Sequence, residues 1–254
     1  MPEVLNYILV GLAAVAAGII NALAGGGTLL TFPTLVAIGI PAVAANITNT
    51  IALCPGYVGG IIAQSKDLQG QKQHLWIFIP AGFAGGLAGG FLLLISGERL
   101  FQNLVPVLIL LASGLLAIQD VVKAWLLRRA LKNGDQGTSP YLAALPVGLA
   151  AVYGGYFGAG LSVIVLAVIG LVLNDSLTRL NALKLAISFS ANVAAAILFI
   201  FSGKVVWPVA IVMAVGALIG GNLGGRLAGR VKPSVLRAIV VAIGVIVGII
   251  YLVR

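Results

Sequence analysis

Asn21-Ala22-Leu23-Ala24-Gly25-Gly26-Gly27-Thr28 interrupts an apolar run that begins at Val4, and Tyr153-Gly154-Gly155-Tyr156-Phe157-Gly158-Ala159-Gly160 interrupts another in the second half of the chain. In both places the apolar character resumes directly after the glycines, over 28–40 and 161–173. Each resumed segment is only about 13 residues, some 20 Å at helical rise, too short to cross a bilayer comfortably. These segments read as half-helices or re-entrant pieces. Glycine frees the backbone to leave the helix, and the half-helix that follows presents unpaired N–H groups at its start. Those donors and the helix dipole, roughly half a positive charge at each end, form an anion site. The structural alternative is that the glycines only let helices bend or pack closely, as small residues do in membranes.

The surroundings of the two breaks are those of a membrane protein. Of 254 residues, 61% are hydrophobic and 8% are Asp, Glu, Lys or Arg, whereas a soluble domain carries about 25% charged residues. Mean hydropathy is +1.15. Segments 4–24, 74–96, 140–157 and 234–253 are almost without charge, and about 20 such residues suffice for a crossing helix. Disorder is excluded by the hydrophobicity. A transmembrane β-barrel is excluded because the apolar residues run continuously instead of alternating. The net charge of +9 lacks the basic, aromatic-interleaved run of a nucleic-acid surface, so no nucleic-acid partner is expected. Cys54 is the only cysteine and permits no internal disulfide. Ala22-Leu23-Ala24 could pass for a signal-peptide cleavage site, but the start carries Glu3 and no Lys or Arg, and a related segment recurs in mid-chain. The first segment is therefore kept in the mature protein.

The two breaks belong to a repeat. Gly25-Gly26-Gly27 matches Gly158-Ala159-Gly160, Asn46-Ile47-Thr48-Asn49 matches Asn181-Ala182-Leu183-Lys184, and Gly85–Gly90 matches Gly220–Gly225, all at offsets near 131–135 residues. The expected fold is an all-α integral membrane protein of two inverted repeats with up to five helical segments each. The first repeat covers 1–127 and the second 140–254, joined by a hydrophilic cytoplasmic linker at 128–139. Segments fall near 4–24, 28–40, 43–64, 74–96 and 101–122, then 140–157, 161–173, 177–202, 205–225 and 234–253. With alternating sides, eleven basic residues, Lys66, Arg128 and Arg226 among them, share one face. Arg99, Lys204 and Arg254 share the other. The lopsided split places the linker in the cytoplasm and both termini outside. The Gly85–Gly90 and Gly220–Gly225 clusters read as close helix packing.

Inverted repeats with interrupted helices are the recurring plan of secondary transporters. The site residues expected at the breaks are Asn21, Gly25, Gly26, Gly27 and Thr28 in the first half and Gly158 and Gly160 in the second. Lys184 is the basic residue well inside an apolar segment, where a charge is costly without a partner or a cavity. Snorkelling along its stem is the bland explanation. Against it, Asn181, Lys184, Ser188 and Asn192 share one helix face, and Asn46 and Asn49 mark the matching face in the first half. Asn46, Asn49, Asn181, Lys184 and Ser188 are therefore expected to face the substrate. Glu98, Asp120 and Asp175 sit at segment ends, so a buried carboxylate proton relay has no support. No GxxxxGK[ST] run for ATP occurs, and His74 has no nucleophile constellation around it. An enzyme, a cofactor or a metal site is not expected.

The run Gly18-Ile19-Ile20-Asn21-Ala22-Leu23-Ala24-Gly25-Gly26-Gly27-Thr28, with Phe32-Pro33-Thr34-Leu35 and Ala45-Asn46-Ile47-Thr48-Asn49-Thr50 after it, resembles the TauE/SafE sulfite exporter family, also called the toluene sulfonate uptake permease family. The resemblance covers essentially the whole chain and implies a bacterial or archaeal inner-membrane carrier of small sulfur-containing anions and organosulfonates, including sulfite. The second copy departs from the first, with Gly158-Ala159-Gly160 for the triple glycine and Lys184 where the first copy has Asn49. The expectation is a secondary transporter of small anions that exports sulfite or a related organosulfur anion. A carrier of another small anion or organic acid, or a passive anion channel, is the alternative. Partners are the small anionic substrate and membrane lipid, with a homodimer left open.

Overall fold

In the computed structural model the described residues are 2–133, 139–227 and 233–253. Their order is α1 (Pro2–Leu23), α2 (Thr28–Ala37), α3 (Ala42–Ala63), a 3₁₀ turn (Ser65–Leu68), α4 (Lys72–Asn133), a second 3₁₀ turn (Pro140–Ala143), α5 (Ala144–Tyr156), α6 (Leu161–Val172), α7 (Leu177–Ile200), α8 (Trp207–Leu227) and α9 (Pro233–Val253). Among the described residues there is no strand. Gly97, at φ 71°, ψ 173°, divides α4 into two arms, 72–96 and 98–133. Counting these arms, the helices follow the ten segments expected from the sequence. The short α2 and α6 have 10 and 12 residues. The second arm of α4 outruns its expected end at 122, because Ala, Leu, Lys and Arg continue as good helix formers to Asn133. Part of the expected linker is therefore helical. Residues 134–138 of that linker, and Arg230, Lys232 and Arg254 of the charge count, lie outside the described residues.

Helices long and apolar enough to cross a membrane are found over Val4–Leu23, Lys72–Arg128, Leu177–Ile200, Trp207–Leu227 and Ser234–Val253. α3 is as long as α1, but Asn46, Thr48, Asn49 and Thr50 are all buried within it. A helix carrying that many polar groups belongs inside the protein, away from lipid.

The glycine clusters set the packing. In the first arm of α4, Gly85 and Gly89 lie against Gly148 and Val152 of α5, while Gly86 and Gly90 lie against Ala191 and Ala195 of α7. In α8, Gly220 and Gly224 lie against Val15 and Ile19 of α1, while Gly221 and Gly225 lie against Gly56 and Gly60 of α3. A Cβ at most of these positions would overlap the facing backbone, so small residues here allow the axes to approach. The pairing is reciprocal: the fourth segment of each half packs on the first and third segments of the other.

The register of these pairs gives chain directions. Residue numbers rise together between α1 and α8 and between the first arm of α4 and α5. They run oppositely between the second arm of α4 and α9, where Gly244 meets Ser113 and Gly248 meets Leu110. One end of the bundle gathers Lys123, Arg179, Arg226 and Arg237; it holds a cavity edged by Lys123 and Arg226, the Arg237–Asp120 ion pair, and Arg179 donating to the Gln69 carbonyl at 2.8 Å. At the opposite end the Glu98 carboxylate accepts from the Val43 N–H at 3.1 Å, and Thr48 Oγ1 accepts from the Val206 N–H at 3.1 Å. These are called the basic face and the far face below.

Candidate functional site

The first break is held by side chains from three helices. Gly25 and Gly26 have φ of 83° and 96°, a left-handed conformation that a Cβ disfavours. Gly27 is back in helical geometry at φ −55°, and its N–H donates to Asn21 Oδ1 at 2.8 Å. Asn21, the last polar residue of α1, thus closes the turn it precedes. Thr28 Oγ1 accepts a long 3.4 Å bond from Asn49 Nδ2 of α3. From the second arm of α4, Gln119 Nε2 donates to the Ala24 carbonyl at 2.8 Å.

The second break repeats the turn with other means. Gly158 and Gly160 have φ of 82° and 78°, and the Tyr153 hydroxyl donates to the Ala159 carbonyl at 2.6 Å. Asn46 of α3 donates from Nδ2 to the Tyr156 carbonyl at 2.9 Å, so each break is tied to the rest of the bundle through an amide that grips a carbonyl at the end of its first helix. The two breaks also touch each other. A Cβ on Gly25 would lie 2.6 Å from Cβ of Ser162, in the first turn of α6. Gly26 packs on Leu116, and Gly160 packs on Ala112, one helical turn away along α4. The starting ends of α2 and α6, each with its partial positive charge, are therefore brought together, with the N–H groups of Gly27, Leu29, Leu30, Leu161 and Val163 already bonded within the turns.

Lys184 is fully buried, 0% exposed. Its Nζ donates to Asn181 Oδ1 at 2.7 Å, and Asn181 Nδ2 donates to Gln64 Oε1 at 2.8 Å. The ammonium therefore points one turn back along α7, toward the basic face, without reaching solvent. The ion pairs Arg179–Asp175 and Arg237–Asp120 leave it out, while Lys123 and Arg237 are close enough to act on it electrostatically. Asn181 and Gln64 line a cavity of about 600 Å³ together with Lys123, Arg226, Asp67 and Leu166. Ala22 and Leu23, just ahead of the first break, form part of its wall. The cavity is thus a basic-edged vestibule that ends against the first break and the chain Gln64–Asn181–Lys184.

The residues singled out from the sequence are not all in one place. Asn21, Gly25, Gly26, Gly27, Thr28 and Asn49 are joined around the first break, and Asn46 adjoins the second with Gly158 and Gly160. Lys184 and Asn181 lie toward the basic face. α3 and α7 run antiparallel there, with Gln64 bonded to Asn181 and Gly60 facing Leu185, so Asn49 sits on the far-face half of α3 while Lys184 sits on the basic-face half of α7. Ser188 is buried between, its hydroxyl without a partner and its carbonyl accepting from Asn192 Nδ2 at 2.8 Å. Buried polar atoms without partners also include Asn46 Oδ1, Asn49 Oδ1 and Gln119 Oε1; such atoms are uncommon in folded proteins. Gln119, Gln64 and Ser162 were not singled out from the sequence, and Lys123 and Arg226 entered there only among the basic residues that set the topology. The site also has more positive charge at its approach than Lys184 alone supplies. Among the described residues no group of His, Cys, Asp and Glu could hold a metal ion.

Comparison with known proteins agrees with this architecture. A family described as "Sulfite exporter TauE/SafE" matches residues 10–251. A "Probable membrane transporter protein YfcA" of Escherichia coli strain K12 is 30% identical over 80% of this chain and 73% of its own length. A "Probable membrane transporter protein" of Haemophilus influenzae is 28% identical over 80% and 77%, and a "Probable membrane transporter protein ORF9" of Sinorhizobium sp is 25% identical over 80% and 76%. No solved structure matches. With a family match across nearly all of its length, ten helical segments among its described residues and apolar helices long enough to span a bilayer, this chain is a multi-pass inner-membrane transporter, not an enzyme, and belongs to the TauE/SafE sulfite exporter family.

Proposed function

We propose that the chain is a secondary carrier of small anions, and that it exports sulfite or a related organosulfur anion. The observation that carries this reading is the meeting of α2 and α6 at Gly25 and Ser162, which sets two helix N-termini side by side in the middle of the bundle. Two such ends favour an anion and disfavour a cation. The amine of the fully buried Lys184 adds a donor, and Lys123 and Arg226 at the edge of the cavity add full charges of the same sign. The halves 1–127 and 140–254 act as inverted repeats around this point, a reading supported by the reciprocal packing of the glycine clusters and by the opposed directions of matching helices. Carriers of that plan bind at the repeat interface and open alternately to each side. The basic face is the cytoplasmic one, on the eleven-to-three distribution of basic residues. The substrate enters from the cavity at that face. Solute counterflow in liposomes tests the reading. Labelled sulfite should enter faster when unlabelled sulfite fills the lumen, and a neutral solute of similar size should neither enter nor compete. Uptake indifferent to lumenal sulfite would make the protein a channel.

A further inference from the structure

Gln119 is fully buried, 0% exposed, and its amide is split between two environments. Nε2 donates to the Ala24 carbonyl inside the first break, while Oε1 has no partner. The orientation is fixed, because a backbone carbonyl only accepts and so must face the NH₂ group. Oε1 is therefore an acceptor without a donor, set beside the glycine turn. The wall of the basic-edged cavity includes Leu23, the residue before Ala24, Lys123, one turn further along the same arm of α4, and Leu166, one turn along α6 from Ser162, and Gln119 lies behind that wall. Asn49 Oδ1, which adjoins Thr28 across the turn, is likewise without a partner.

We infer that the first break selects, among small oxyanions, those that carry their own O–H or N–H donor, and that Gln119 is the residue that distinguishes them. The inference rests on the anion-carrier reading above and refines its substrate class. Helix N-termini and Lys184 recognise negative charge, which every oxyanion has. A carbonyl oxygen does the opposite: it repels the bare oxygens of the anion and is satisfied only by a proton on the ligand. Hydrogen sulfite and hydroxyl- or amino-substituted sulfonates bring that proton; simple alkyl sulfonates do not. A site built to bond a substrate hydroxyl discriminates strongly against the analogue lacking it, because its own polar group is then left buried and unpaired.

The test is counterflow by the full chain in liposomes with an isosteric pair, 2-hydroxyethanesulfonate and propane-1-sulfonate, beside sulfite. The parent protein should prefer the hydroxyl compound by about tenfold or more. Gln119→Met keeps length and removes the acceptor, together with the amide bond to the Ala24 carbonyl; whatever its overall rate, it should bring the ratio close to one. Equal uptake of the pair by the parent overturns the inference, as does an unchanged ratio in the variant. Should the variant fail to fold, the ratio in the parent alone decides. Uptake of sulfite with neither sulfonate carried overturns the inference and leaves the anion carrier standing; uptake of none of the three removes both.

Discussion

Lys184 is the residue whose cost most demands a purpose. An ammonium buried in hydrocarbon-spanning protein is unfavourable by several kcal/mol unless something compensates, and its hydrogen bond to Asn181 supplies only a neutral partner. On the proposed reading, an anion drawn in from the vestibule supplies the missing charge. Attraction between unit charges at about 4 Å is near 4 kcal/mol at an effective dielectric of 20, before desolvation is deducted. A helix end contributes about 0.3–1 kcal/mol when exposed and up to about 2 when partly buried. On the proposed reading Lys184 draws the anion in from the basic face more strongly than a helix end does, and Lys184→Met should weaken sulfite binding by at least about tenfold in a binding isotherm. Lys184→Arg should retain part of the binding, with a bulkier, fixed fork that hinders transport. Binding by the Met variant equal to the parent's would return Lys184 to a structural role. Lys184 was legible in the sequence because it is a charge in an apolar run. Gln119 was not: its partner Ala24 is 95 residues away, and a lone glutamine in a long apolar helix carries no periodic signal. Ser162, a small residue on an otherwise apolar half-helix, was hidden in the same way.

At the scale of elements, the glycines do two separate jobs, and substitution should separate them. Gly26 and Gly160 lie in turns with positive φ. Gly221 lies inside α8 against the Gly56 carbonyl of α3. Gly26→Val and Gly160→Val should abolish sulfite transport while the protein still inserts, because a branched Cβ disfavours the turn and crowds the approach to the helix ends. Gly221→Val should instead reduce the yield of folded protein, since it forces apart two backbones, and overpacking of that kind costs about 1–3 kcal/mol. Size-exclusion profiles alongside liposome uptake distinguish the outcomes; normal transport by both turn variants would sink the half-helix site. The breaks themselves could be read from composition, since a glycine cluster followed by an apolar segment too short to span marks where a helix stops and restarts. That the two breaks touch could not. Ten apolar segments of similar character give no order of packing, and the contact of Gly25 with Ser162 joins residues from opposite halves of the chain.

For the whole molecule, the reciprocal pairing of glycine clusters makes each half incomplete without the other, and the proposed site lies where they exchange segments. The first consequence is topological. With a Cys54→Ala background, a single cysteine replacing the exposed Ser139 should resist an impermeant reagent added outside intact cells and react after permeabilisation. Ready labelling from outside would invert the proposed orientation and with it the direction of entry from the basic face. The central claim is positional: the anion rests where α2 and α6 begin, between the halves. Selenite, a heavier analogue of sulfite, can be located by its anomalous scattering in crystals of the full chain. The account predicts a selenium peak beside Gly25 and Ser162, within reach of the approach guarded by Lys184 and Gln119. Selenium confined to surface cations such as Arg226, with the meeting point of the two breaks empty at saturating selenite, would contradict it.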